Sequence, residues 1–124
     1  MEDPKAPPLT PDGLRRFATQ IGLDTDAVLK SNAPAELKQR VANRAYILQP
    51  TLLAVANAPE PVATAWVNLL SSEISALYSD VVASGPIGGP GAPPIGACRH
   101  AGGCIQTTKV ACDVVPGTWS PGPC

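Results

Sequence analysis

The stretch CRHAGGCIQTTKVACDVVPGTWSPGPC, residues 98–124, decides how this chain is divided. It contains all four cysteines, and Cys124 is the final residue. From Gly85 onward, 16 of 40 residues are glycine or proline, whereas Gly13 and Gly22 are the only glycines before it. No regular apolar period runs through this part. A segment of that kind buries too little surface to offset the entropy of ordering it. The composition therefore predicts a disordered Gly/Pro/Cys-rich C-terminal tail, with residues 85–97 as a linker and 98–124 as the Cys-bearing end.

Upstream, residues 1–84 read as helices. Thr10 is a candidate N-cap and Pro11 suits the first helical position, where its missing N–H costs nothing. Leu14, Phe17, Ala18 and Ile21 share a face, and Gly22 reads as the stop. A short second helix follows, capped by Asp24. A third starts near Asn32 and Pro34 with Leu37, Val41, Ala45 and Leu48 on one face, and Pro50 should break or kink it. The longest element begins at Pro59–Glu60–Pro61. Its apolar residues are Val62, Trp66, Leu69, Leu70, Ile74, Leu77, Val81 and Val82, recurring at three and four. The expected fold class is all-α: a small helical bundle or helical hairpin of about four helices, followed by the disordered tail. Self-packing is the expected cover for the apolar stripe; a homodimer or a partner protein is the other way to cover it.

Composition and motifs narrow the function. Nine basic and ten acidic side chains nearly cancel, and no basic stripe interleaves with aromatics, so nucleic acid is not an expected partner. No run of about 18 apolar residues exists, so no membrane span is expected. The opening MEDPKAPPLTPDG is acidic and proline-rich, without the apolar stretch of a Sec signal peptide, which points to a cytoplasmic chain. The lone His100 has no partner of a catalytic constellation, and Glu73 with Asp80 reads as a polar helix face. The prolines of GPIGGPGAPPIG remove N–H groups that a phosphate cradle needs. Neither enzyme activity nor a cofactor is expected.

The cysteines remain, spaced C-x5-C-x7-C-x11-C. Zinc sites usually hold a tight Cys pair, which is missing here, so Cys98, His100, Cys104 and Cys112 are weak metal candidates. Disulfides would allow three connectivities. Modification is the third reading. Thr107, Thr108, Thr118 and Ser120 accompany the four thiols, with Thr108 four residues before Cys112 and Ser120 four before Cys124. A thiolate can add to a dehydrated Thr or Ser and close a thioether ring, and thiolate nucleophilicity makes cysteine suited to it.

A helical, charged leader, small-residue junctions at Gly88–Gly89 and Gly102–Gly103, and a short Cys/Thr/Ser end resemble the layout of precursors of ribosomally synthesised, post-translationally modified peptides. The lanthipeptide type is the most similar subclass. The resemblance is one of organisation and covers the whole chain loosely. It implies a leader over 1–84 that recruits a maturation enzyme, a core peptide over 98–124 and cleavage near those glycine pairs by a protease or exporter. It further implies a cytoplasmic precursor whose processed core is open to export. Cys98 and Cys104 depart from the pattern, having no Ser or Thr close before them. The alternative is a small helical protein-interaction module with a disulfide-stapled or metal-binding tail.

Overall fold

The computed structural model describes residues 9–83, 95–100, 103–115, 117–122 and 124. Three long helices come first: α1 (Pro11–Leu29), α2 (Ala35–Val55) and α3 (Glu60–Ala83). They are followed by β1 (Gly96–His100), β2 (Gly103–Thr107), the short α4 (Lys109–Val114) and β3 (Thr118–Pro121). The expected disordered tail is thus corrected. The C-terminal part is an antiparallel three-stranded sheet of order β2-β1-β3 with a helix packed on it. Composition alone missed this because crosslinks replace part of the burial that the segment lacks.

Helix α1 opens as its sequence predicts, with the Thr10 hydroxyl accepting from the Gly13 N–H at 2.9 Å and Pro11 in the first turn. It does not stop at Gly22. The expected first and second helices are one helix, and Asp24 is not a cap but a buried residue in its interior. Gly22 serves packing instead: a Cβ there would meet the Gln49 amide nitrogen at 2.5 Å. Gln49 uses this close approach to donate to the Ala18 carbonyl at 3.0 Å, tying α2 to α1. Helix α2 likewise continues through Pro50. At the next residue, the Thr51 hydroxyl donates to the Ile47 carbonyl at 2.7 Å, and the apolar face resumes at Leu52 and Val55.

Helix α2 packs against both α1 and α3, and the remaining gap between α1 and α3 is filled from the C-terminal side, β2 lying on α3 and α4 on α1. The C-terminal unit therefore occupies the place a fourth helix takes in a bundle. One apolar cluster runs through both parts, from Phe17, Ile21, Leu52, Ile74 and Tyr78 to Cys98, Ile105, Ala111, Cys112 and Val115. Phe17 and Tyr78 stack with ring centroids 6.3 Å apart. The open edge of β2 is covered by α3, where the Gln106 N–H donates to the Ser75 hydroxyl at 2.9 Å.

On α3 the buried face is Ala63, Val67, Ile74, Leu77, Tyr78 and Val81. This shifts the expected stripe by one residue in its first half: Val62, Trp66 and Leu69 face solvent. The helix is apolar most of the way round, so spacing by itself allowed either register.

Candidate functional site

The four thiols are all consumed. Cys98 pairs with Cys112 and Cys104 with Cys124, joining first to third and second to fourth, so the two loops interlock. Strand alternation sets this up. Cys98 sits on the inner face of β1, opposite Ile105 and Trp119, and there it reaches Cys112 on α4. Cys104 lies opposite Arg99, on the other face, and there it takes the end of the chain. Both inner cysteines are fully buried, while Cys104 is half-buried and Cys124 exposed. Gly117 packs against the inner bridge; a Cβ on it would collide with the sulfurs of both Cys98 and Cys112.

The hydroxyls divide in the same way. Thr107 is fully buried, and its Oγ1 has no hydrogen-bond partner among the described residues. Thr108 caps α4, its Oγ1 accepting from the Ala111 N–H at 3.3 Å. Thr118 and Ser120 are exposed on β3. Trp119 lies between them, half-buried, its indole N–H donating to the Thr107 carbonyl at 3.0 Å, which makes it a structural strut between β3 and β2. Gly103 starts β2, and Gly88, Gly89 and Gly102 lie outside the described residues.

Of the weak metal set, Cys98 and Cys112 are bonded to each other and Cys104 to Cys124, and the described residues include no cluster of three or more His, Cys, Asp or Glu able to hold an ion. His100 is buried at the end of β1, and burial lowers its pKa. Glu73 and Asp80 are ion-paired rather than chemical: Arg44 lies 3.1 Å from Glu73 and 3.4 Å from Asp80, which Arg40 also meets at 3.4 Å.

Another buried polar group went unread in the sequence. Tyr78 donates its hydroxyl to Asp24 Oδ2 at 2.7 Å, and Gln20 donates to Oδ1 at 2.9 Å. Burial raises the Asp24 pKa, against the opposing effect of those two hydrogen bonds. Burial also holds the Tyr78 hydroxyl well above its ordinary range. The group is buried in the core and links α1 to α3.

The surface feature that sequence reading missed lies between α2 and α3. A groove of about 470 Å³ is lined by Pro50, Thr51, Ala54, Val55, Ala58 and Trp66. On the same two helices, Tyr46, Ile47, Leu53, Val62 and Leu69 are exposed. The signal was present: Ala63 and Val67 offered α3 a second inward register, which would have left Val62, Trp66 and Leu69 outside.

No known protein family matches the chain, and no curated protein or solved structure is similar to it. Among the described residues, no helix is long and apolar enough to cross a membrane.

Proposed function

We propose that this chain is a small non-enzymatic interaction module, completed by a disulfide-stapled C-terminal unit and working in an oxidising compartment. One observation carries the reading: all four cysteines are paired, and the Cys98–Cys112 bridge lies inside the apolar cluster shared with the helices. Stable disulfides belong to oxidising surroundings. The apolar groove on α2 and α3 supplies a surface suited to a partner.

The modified-precursor reading asks more of the same residues. A maturation enzyme would first have to unfold the sheet, because Cys98, Cys112 and Thr107 are fully buried and Thr108 is used as a cap. Only Thr118, Ser120 and Cys124 are exposed without unfolding.

Intact mass and tail fragmentation of the protein from its own host separate the two. The stapled module gives thiols that alkylate only after reduction, loses two hydrogens per bridge, and yields linked peptides joining Cys98 to Cys112 and Cys104 to Cys124. Loss of water at Thr107, Thr108, Thr118 or Ser120, with thiols that resist alkylation even after reduction, would overturn this reading in favour of thioether maturation.

A further inference from the structure

We infer that the Cys104–Cys124 bridge is a thiol-exchange site: a small carboxylate-bearing thiol adds to it, forming a mixed disulfide on Cys124 and freeing Cys104 as a thiolate beside Arg99. The inference rests on the stapled reading and gives one of the two staples a chemistry of its own.

Access separates the two bridges. Exchange requires a thiolate to reach a disulfide sulfur. Cys98 and Cys112 are both 0% exposed and lie within the apolar cluster, so a thiol in solution does not reach their bond in the folded chain. The outer bridge is on the opposite face of the sheet, with Cys104 half-buried and Cys124 exposed.

Charge sets the direction of the exchange. In the sheet, Arg99 is paired with Cys104 on one side and with Thr118 on the other. Side chains at directly paired positions stand on one face with Cβ atoms about 4.5–5.5 Å apart. Arg99 is exposed there, and it is the only charged side chain on that face of the three described strands. A cationic neighbour stabilises a thiolate, and the more stable thiolate leaves faster. Cys104 is therefore the leaving group, and the exposed sulfur of Cys124 is the one attacked. The same guanidinium, with the exposed Thr118 hydroxyl beside it, offers donors to a carboxylate carried by the incoming thiol.

The step needs no oxidant. The incoming thiol loses its proton and its sulfur bonds to Cys124 Sγ. The Cys104–Cys124 bond breaks, and its electron pair passes to Cys104 Sγ, which stays a thiolate or takes up the proton. The chain gains one thiol molecule and loses nothing. Attack of Cys104 on the mixed disulfide expels the small thiol again and restores the bridge.

The test is timed exposure of the oxidised full-length chain to glutathione or to mercaptoethanol, a thiol without a carboxylate. Acid quenching, intact mass and fragmentation then locate the adduct. The expected product carries one glutathione on Cys124 and a free thiol at Cys104, with the inner bridge closed and circular dichroism unchanged. The outer bridge should open more than about tenfold faster than the inner one, whose exchange awaits local unfolding. Arg99→Gln should slow the glutathione reaction about threefold through the leaving group, and should slow the mercaptoethanol reaction less. Opening of both bridges together, or an adduct on Cys104, overturns the exchange site and leaves the stapled reading standing. So does an Arg99→Gln chain that reacts with glutathione at an unchanged rate. Thiols that alkylate in the chain from its own host before any reductant is added overturn the stapled reading and the site together.

Discussion

The helical body and the C-terminal unit share one apolar cluster but reach order by different routes. Helices α1 to α3 bury long side chains such as Phe17, Leu48, Leu52, Ile74 and Tyr78 at helical spacing. Each such burial contributes about 1.5–3 kcal/mol relative to exposure. The C-terminal unit offers the cluster little beyond Ile105, Val115, Ala111 and two cysteines. What it lacks in burial it recovers by restricting its unfolded state. Bridges spanning 14 and 20 residues each remove roughly 3 kcal/mol of loop-closure freedom from the denatured chain. The lesson is that low apolar content and many glycines and prolines do not by themselves imply disorder once thiols are available to tie them.

The strongest way to break this contrast is to remove the bridges separately. Replacing Cys98 and Cys112 together by alanine should cost about 4 kcal/mol, combining lost loop restriction with a small cavity in the core. Replacing Cys104 and Cys124 should cost about 3 kcal/mol, as Cys124 contributes no buried packing. Denaturant unfolding gives both values. Protease cutting within 98–124 should appear first in the inner-bridge variant, and equal resistance of the two variants would show that the inner bridge has no special place.

A smaller effect comes from Gly117→Val, whose side chain would occupy the space of both sulfurs of the inner bridge. Overpacking of this sort costs about 1–3 kcal/mol. Refolding from the reduced state should then accumulate the Cys104–Cys124 species while Cys98–Cys112 closes slowly. Unchanged oxidation kinetics would contradict the tight seat described for that glycine.

The smallest effects are in pH, and they have opposite signs in the two regions. The folded pKa of Asp24 is raised above 3.8, so its contribution is full below that value and is lost as pH rises through the folded pKa. The folded pKa of His100 is lowered below 6.5, so its contribution is present above 6.5 and declines as pH falls through the folded value. Acidification should therefore favour the body and weaken the sheet. Amide hydrogen exchange, followed in α1 and in β1 over this range, reads the two separately. Asp24→Asn should flatten the first trend and His100→Gln the second; parallel trends in both elements would remove the distinction.

Much of the body was legible in the sequence. Thr10 and Pro11 start α1, Leu14, Phe17, Ala18 and Ile21 face inward, and α3 begins at the Pro59–Glu60–Pro61 step. Gly22 and Pro50 misled because a helix breaker acts through local cost, about 1 kcal/mol for glycine and 3 for proline, which tertiary packing across α1 and α2 outweighs. The tail misled for a different reason. Nothing in the cysteine spacing selects one of three pairings, and the selection comes from strand alternation that places Cys98 and Cys104 on opposite faces of the sheet. The groove escaped because α3 carries apolar residues in two adjacent registers, and the packing of α2 and β2 on that helix, not the spacing, determines which one is covered.

The C-terminal unit standing in for a fourth helix also sets an order of events. Synthesis proceeds from α1 toward Cys124, and the earlier part of a chain folds while the later part is still being made. Phe17 and Tyr78 therefore emerge before the segment that seals the seam between their helices. Until the thiols are joined, that seal lacks its crosslinks. Each bridge waits for its later partner, Cys112 or Cys124, so the seam between the helices is the last part to be fastened.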